Sequence, residues 1–284
     1  MVPPTRTLDF VCPKDKSPLK PAGDDLWCAH CETRFPVIRG IPILINDENS
    51  VFAISDYTDN PYGGAEYGST HDKTPGLRGV YHSVMSRISE TDIKRRHLDA
   101  ETAIANIQRD NPVARLLIIG SGETTYEGDA QFVYTDVAFS KNAQSICDAH
   151  DIPFADGYFD AAILVAVMEH VIAPDRCADE VWRVLKPGGF VYAATPFLQP
   201  VHMGAYDFTR FTLLGHRRLF RKFDAIETGM ALGPGPVLAW SFQYFLLSLS
   251  DNKTYRRVAR AAGLILTFPL KYLDYVSRKH EGAP

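Results

Sequence analysis

Long apolar runs and an excess of basic residues are both absent from this sequence of 284 residues. The longest uninterrupted apolar run, Ala161 to Met168, is far shorter than the roughly 20 residues that a membrane-spanning helix needs. The 30 basic residues are outnumbered by 34 acidic ones, which gives a net charge of -4 and excludes a generally basic nucleic-acid-binding protein. We therefore expect no transmembrane helix and no nucleic-acid partner.

Marks of secretion are also missing. The first ten residues contain no apolar core of a signal peptide, and the five cysteines are an odd number. Thiols stay reduced inside the cell. We expect a cytoplasmic protein whose cysteines are free.

The composition changes along the chain and indicates four parts. Residues 1–50 are rich in Cys, Pro and turn residues and are expected to form a small β-rich module. Residues 51–112 are expected to hold a loop from Asp56 to Gly79 and then a helix. Residues 113–230 alternate apolar and polar segments, and residues 231–284 are expected to form a helical extension.

Apolar runs in residues 113–230 predict a parallel β-sheet that is buried on both faces. The predicted strands are Ala114–Ile119, Phe132–Asp136, Ser145–Cys147, Ala161–Val165 and Phe190–Thr195, with a further strand at Ala225–Thr228. Helices are expected over Pro174–Leu185 and Thr212–Arg221. The segments between the first three strands are shorter than, or barely equal to, the roughly 10 to 12 residues of a helical crossover. Two of the usual flanking helices should therefore be missing.

A glycine turn follows the first of these strands, at a place where α/β sheets bind cofactors. Gly120 and Gly122 would let the backbone approach a ligand closely, although a turn without a ligand is the alternative. A dinucleotide fingerprint requires a third glycine where Thr125 stands, which disfavours a nicotinamide-dependent reductase. Asp136 ends the second strand, where a carboxylate can accept hydrogen bonds from both hydroxyls of a ribose.

Four short motifs then follow in a fixed order. They are Asp148-Ala-His-Asp-Ile-Pro-Phe154, Phe159-Asp160, Glu169-His-Val171 and Leu185-Lys-Pro-Gly-Gly189. With these motifs, residues 113–230 resemble the class I S-adenosylmethionine-dependent methyltransferases, especially their small-molecule branch. The resemblance implies an enzyme with an α/β fold, in which a Rossmann-like, mostly parallel sheet binds S-adenosylmethionine.

The same resemblance implies the cofactor contacts. The glycine turn lies beside the methionine part of the cofactor, Asp136 holds the ribose, and the segment from Ala166 to His170 forms the wall nearest the sulfonium. Two positions depart from the family pattern: Ile118 replaces an acidic residue, and Thr124 replaces a glycine. The implied cofactor-binding residues are Gly120, Ser121, Gly122, Asp136, Asp148, Ala149, His150 and Ala166.

Polar groups are concentrated in the loop after the fifth strand. His202 or Asp207 would accept the proton of a hydroxyl, and His170 is a third candidate. Alternatively, Asp207 pairs with Arg210 and only fixes the loop, and His170 is structural. The predicted reaction is methyl transfer to an oxygen of a small molecule, a sugar or a lipid-linked glycan. The alternative is a non-catalytic, methyltransferase-like scaffold that binds a partner.

The amino-terminal module resembles the zinc-ribbon proteins that act as activating partners of methyltransferases. The resemblance rests on Cys12-Pro-Lys-Asp15, Cys28-Ala-His-Cys31, Phe35-Pro-Val and Gly40-Ile-Pro42. It implies a zinc ion held by Cys12, Asp15, Cys28 and Cys31, with Asp15 in place of a cysteine. A metal-free ribbon is the alternative, because structural zinc sites favour sulfur and nitrogen ligands.

The carboxy-terminal stretch from Lys253 to His280 contains seven Lys/Arg residues and one acidic residue, interleaved with apolar ones. We expect it to be helical over Val258–Val276 and interrupted at Pro269. It would cover the sheet face left bare by the missing helices, or pack on a neighbouring helix, and bury Leu264, Ile265, Phe268 and Leu273. The alternatives are a peripheral contact with an anionic membrane and a homodimer that covers the bare face.

Overall fold

The amino-terminal part of the protein is built from short strands. The computed structural model describes residues 8–59, 99–201, 206–230 and 233–275. Strands β1 (Leu19–Ala22), β2 (Asp25–Cys28) and β3 (Arg34–Phe35) form an antiparallel sheet in that order. A hairpin of β4 (Val37–Ile38) and β5 (Ile41–Leu44) comes next, followed by the short helix α1 (Ile54–Thr58).

The main sheet has seven strands in the order β10-β9-β6-β7-β8-β5-β4. Every neighbouring pair is parallel except β4 and β5, which confirms the predicted Rossmann-like, mostly parallel sheet. The strands contributed by the middle of the chain are β6 (Arg115–Ile119), β7 (Gln131–Asp136), β8 (Ser145–Cys147), β9 (Phe159–Val165) and β10 (Leu185–Ala194).

The amino-terminal hairpin joins this sheet through β5. Ile43 pairs with Ile146 and Leu44 with Cys147, so β5 lies parallel to β8. Strands β4 and β5 of the amino-terminal module therefore belong to the same sheet as the core strands β6–β10. This pairing brings the chain that follows β5 close to the carboxyl end of β8.

Both faces of the sheet are covered by apolar residues. Helix α3 (Pro174–Val184) begins with proline in its first turn and buries Cys177 and Val181 against one face. Helix α2 (Ala100–Asp110) packs Ile104 against the other face. No helix occurs in residues 120–130 or 137–144, as predicted from the short crossovers. Helix α2 thus covers strands that the missing crossovers would have protected.

Two predictions about connecting segments are wrong. The strand predicted at Ala225–Thr228 does not form, and Ile226 is 80% exposed. An apolar pattern is not sufficient for a strand, because a strand also needs a neighbouring strand with which to pair. The loop predicted from Asp56 to Gly79 is wrong at its start, because residues 56–58 belong to α1. Residues 60–98 lie outside the described residues. The start of the helix predicted to follow this loop also lies there, and α2 ends at Asp110.

Four further helical segments follow in the described part of the chain. They are α4 (Leu213–Leu219), α5 (Pro234–Ser248), α6 (Lys253–Thr267) and a 3-10 helix (Phe268–Tyr275). The helical extension is thus confirmed, and the change to a 3-10 helix coincides with Pro269. None of the described helices is long and apolar enough to cross a lipid bilayer.

The packing of this extension agrees with the prediction in part, since it lies on a neighbouring helix. Helix α6 lies on α5, where Gln243 Nε2 donates a hydrogen bond to Thr267 Oγ1 at 2.8 Å. It buries small residues such as Ala259 and Gly263 in that contact. The expected burial of Ile265 and Leu273 is wrong, since these side chains are 65% and 43% exposed.

Candidate functional site

The predicted cofactor residues come together at one edge of the main sheet. Gly120, Asp136, Asp148 and Ala166 each lie at or just after the carboxyl end of β6, β7, β8 or β9. In parallel strands these ends meet on the same side. The strand order reverses between β9 and β6, which is where open α/β sheets form their ligand crevice.

The glycine turn after β6 has a backbone that other residues rarely adopt. Gly120 and Gly122 have φ angles of +63° and +51°. A Cβ atom on Gly120 would lie 2.6 Å from Val167 Cγ2, so a side chain there would collide with the segment after β9. The backbone N–H of Gly122 donates to Asp136 Oδ2 at 2.7 Å, which ties the turn to the end of β7.

Asp136 is buried, and among the described residues only backbone N–H groups hydrogen-bond to its carboxylate. Besides Gly122, the N–H of Ala138 donates to its Oδ1 at 3.0 Å, and the residue is 2% exposed. Burial raises the pKa of this carboxyl above its ordinary value, although the backbone hydrogen bonds oppose the shift. Each carboxylate oxygen keeps a further lone pair, so two hydroxyl groups can still donate to it.

Asp148 is equally buried but is held by side chains. Ser50 Oγ donates to its Oδ2 at 2.5 Å, and His150 Nδ1 lies 2.5 Å from its Oδ1. The N–H of Ala173 donates to His150 Nε2, so the imidazole carries its proton on Nδ1 and donates it to Asp148. Burial acts to raise the pKa of Asp148, yet the hydrogen bonds from His150 and from the Ser50 hydroxyl leave it lowered.

The loop that contains Asp148 is fastened to the amino-terminal chain. The side-chain amides of Asn46 and Asn49 both donate to Asp151 Oδ2 at 2.9 Å, and Arg176 Nη2 donates to Asp151 Oδ1 at 2.6 Å. Sequence reasoning missed Asn46, Asn49 and Ser50 as site residues. Their one signal is a polar turn directly after β5, and only the pairing of β5 with β8 brings that turn to the site.

The chain after this turn covers the ends of β7 and β8. Tyr57 Oη donates to the carbonyl of Val137 at 2.6 Å, and the ring of Phe52 lies 5.0 Å from that of Tyr206 in the loop after β10. Residues 46–58 therefore form one wall of the candidate site.

The opposite wall follows β9. Ala166 has a φ of +54°, a strained value for a residue with a side chain, and such strain is common at functional sites. Glu169 is fully buried, and burial raises its pKa to about 7. The N–H groups of Phe208 and Thr209 donate to the Glu169 carbonyl, so the loop after β10 is docked on this wall.

The three predicted catalytic residues have different surroundings. His170 Nδ1 donates to the carbonyl of Tyr206 at 2.5 Å, so Nε2, which lies 3.6 Å from Glu169 Oε1, is the nitrogen without a proton when the imidazole is neutral. Asp207 is buried and forms a bidentate pair with Arg210, as in the alternative interpretation of this loop. A carboxylate held by a guanidinium is a weak base, so the geometry favours His170 over Asp207. His202 lies outside the described residues.

The amino-terminal sulfur atoms also form a cluster. The ligand atoms of Cys12, Asp15, Cys28 and Cys31 all lie within 4.8 Å of one another, and the Sγ atoms of Cys12 and Cys31 are 3.5 Å apart. Four ligands of a tetrahedral zinc ion are about this close, so the donor set fits zinc. His30 is outside the cluster, but its Nδ1 lies 2.8 Å from Asp15 Oδ2.

Comparison with known families identifies the central part of the chain. A family model of the methyltransferase domain matches residues 120–193, which run from the glycine turn into β10. Residues 120–193 are therefore similar to a methyltransferase domain. Because the match begins at the glycine turn, the matched residues include the buried aspartates and the Glu169–His170 wall.

Curated relatives match the same domain. The ubiquinone/menaquinone biosynthesis C-methyltransferase UbiE of Neisseria meningitidis serogroup C is 38% identical over 72 residues, which cover 25% of this chain and 29% of the relative. The enzyme of that name from Ralstonia pickettii is 36% identical over the same length and the same shares. The chain thus spans less than a third of the length of these relatives.

Solved structures show more distant similarity. One is a complex between the Haloferax volcanii Trm112 methyltransferase activator and a methyltransferase, with 20% identity, 52% of this chain and 75% of that chain covered, and a TM-score of 0.34. Another is a Haemonchus contortus phosphoethanolamine N-methyltransferase, with 17% identity, coverage of 68% and 54%, and a TM-score of 0.41.

Proposed function

We propose that this protein transfers the methyl group of S-adenosylmethionine to a small-molecule acceptor. The observation that carries the proposal is the pair of buried aspartates, Asp136 and Asp148, at the ends of neighbouring strands beside a glycine turn. In the register of the sheet Asp136 pairs with Ile146, so Asp148 lies two residues further along the next strand. That spacing suits a ribose and an adenine bound side by side.

Each residue has a task that its surroundings support. Asp136 accepts hydrogen bonds from the ribose hydroxyls, and Asp148 with the Ala149 backbone faces the adenine. The backbone of the glycine turn, set by the positive φ of Gly120 and Gly122, faces the methionine part. S-adenosylmethionine supplies an activated methyl group when bound, so the protein mainly has to orient the acceptor and take up its proton.

His170 is the proposed proton acceptor. Its Nε2 is the unprotonated nitrogen, and the Tyr206 carbonyl fixes the orientation of the ring. Glu169 is buried beside His170 and has a pKa of about 7. When Glu169 is ionised, its carboxylate stabilises the imidazolium that forms on His170. His202 is a second candidate base on the same loop as Tyr206.

Binding of S-adenosylhomocysteine tests the proposal. At about 100 times its dissociation constant, a ligand stabilises the folded state by roughly 2.7 kcal/mol, which raises the melting temperature measurably. Asp136→Ala should strongly reduce the shift, and Ser55→Ala, at an exposed position of α1, should keep it. The absence of any shift at millimolar ligand would favour a non-catalytic scaffold.

The acceptor atom is proposed to be an oxygen of a small molecule, a sugar or a lipid-linked glycan. The likeness to UbiE supports a second candidate, methylation of a carbon atom, as the name of those relatives states. Turnover with carbon-13-labelled methyl donor and a panel of both acceptor types would separate them, because the methyl chemical shift differs between a methoxy group and a carbon-bound methyl.

The sulfur cluster is proposed to hold zinc through Cys12, Cys28, Cys31 and Asp15. A structural zinc ion would link the two turns that carry these ligands and stabilise the ribbon. Elemental analysis of protein purified without chelator should give close to one zinc per chain, and Cys28→Ser should lose it. A content below about a tenth of an equivalent would leave the metal-free ribbon as the answer.

A further inference from the structure

The carboxy-terminal hairpin, formed by α5, α6 and the 3-10 helix (residues 234–275), exposes an unusual amount of apolar surface. Of the 22 large apolar side chains that are exposed among the described residues, ten lie in this hairpin. A soluble surface does not normally gather so many in one place, so the hairpin has a further contact to make.

Four exposed apolar side chains lie on one face of α5 and its carboxyl end. Leu238, Phe242, Phe245 and Leu249 are 40–59% exposed and follow one another at intervals of four, three and four residues. Gln243, on another side of α5, contacts α6 through Thr267. Helix α5 contains no charged residue. Its apolar stripe is therefore separate from the packing of the hairpin itself.

Cations lie beside this stripe. Helix α6 carries four Lys/Arg residues within its first eight positions and no acidic residue, and Lys253, Arg257 and Arg260 are exposed. Tyr255 Oη donates to the carbonyl of Leu246, and Arg256 Nη1 donates to that of Leu247. These two contacts hold the basic end of α6 against the carboxyl half of α5, where Phe245 and Leu249 are exposed.

We infer that the carboxy-terminal hairpin docks on an anionic lipid bilayer. The α5 stripe enters the boundary between headgroups and acyl chains, and Lys253, Arg257 and Arg260 contact the phosphates. A neutral apolar and aromatic helix next to a basic one is the chemistry that binds such interfaces. A second copy of the chain would bury the stripe, but its own α5 and α6 contain no acidic residue that could pair with these cations.

Sedimentation with vesicles tests this inference without any reference to catalysis. The full chain should bind vesicles that contain phosphatidylglycerol roughly tenfold or more tightly than pure phosphatidylcholine vesicles, and salt should weaken the binding. Phe245→Ser with Leu249→Ser, and separately Lys253→Glu with Arg257→Glu and Arg260→Glu, should each lower the affinity by roughly tenfold or more.

Matched controls keep the result specific. Lys20, Arg109 and Arg217 are exposed on other elements, so their triple change to Glu alters the net charge equally and should leave vesicle binding nearly intact. Circular dichroism should show every variant folded. The inference fails if the control and hairpin variants lose binding equally or if anionic vesicles do not bind. It also fails if light scattering shows a dimer that only Phe245→Ser with Leu249→Ser dissociates.

Discussion

The ends of β7 and β8 each carry a buried aspartate, but the two carboxylates are held in different ways. Asp136 is held by backbone N–H groups of its own vicinity, and burial raises its pKa. Asp148 is held by Ser50 and His150, and its pKa is lowered. The difference teaches that the amino-terminal module contributes to one half of the site, the half expected to face the adenine.

Removal of the Asp148 carboxylate should have the largest effect on stability. Asp148→Ala leaves the His150 imidazole, the His150 N–H and the half-buried Ser50 hydroxyl without their acceptor. It should lower the free energy of unfolding by about 3 to 5 kcal/mol, since an unsatisfied buried group costs about 1 to 3 kcal/mol. Urea denaturation at pH 7 measures the change. If the loss stayed below about 1 kcal/mol, the partners around Asp148 would not support the loop as described.

Glu169 extends the comparison to the end of β9. Its pKa is raised to about 7, so the folded state binds more protons than the unfolded state between pH about 4.5 and about 7. Below this pH window, protonated Glu169 makes its whole contribution to the free energy of unfolding. That contribution is lost as the pH rises through the window. The loss amounts to about 3 kcal/mol.

Denaturation of the parent and of Glu169→Gln across this pH range measures the difference. The parent should lose stability relative to the variant as the pH rises. Burial lowers the pKa of His216, which acts in the opposite direction, but this group is present in both proteins and cancels. A constant difference across the window would show that Glu169 titrates normally.

The Asp136 carboxylate should contribute more to binding of the cofactor than to contacts with the amino-terminal module. Asp136→Ala should weaken the binding of S-adenosylhomocysteine by about 1.5 to 3 kcal/mol, the range for hydrogen bonds to a charged group. Isothermal titration calorimetry measures this affinity, and the affinity of Asp136→Asn should lie between those of the parent and Asp136→Ala. Equal affinity of all three would place the ribose elsewhere.

Ser50 should give the smallest effect and the sharpest test of the comparison. Ser50→Ala removes one hydrogen bond to Asp148 and should cost about 0.5 to 1.5 kcal/mol of stability. It should also weaken S-adenosylhomocysteine binding, whereas Ser55→Ala, five residues later and exposed, should do neither. Identical behaviour of the two variants would remove the amino-terminal module from the site.

Much of the core could be predicted because the signals are local. The apolar runs gave the strands near residues 115, 131, 145 and 159 to within two residues, and Pro174 marked the start of α3. The helix-free crossovers also followed from segment length alone. The packing of the carboxy-terminal hairpin could not be predicted, since Ile265 and Leu273 have the same apolar character whether they face a helix or solvent.

The sequence by itself determined the parallel sheet, the glycine turn and the carboxylates at the strand ends, because spacing and residue type specify them within short windows. Only the tertiary structure decided that β5 joins β8 and that Ser50 reaches Asp148 across 98 positions of sequence. It likewise paired Asp207 with Arg210 and oriented His170 through the Tyr206 carbonyl. Such contacts depend on which strands become neighbours, and backbone hydrogen bonds between strands can form with almost any sequence.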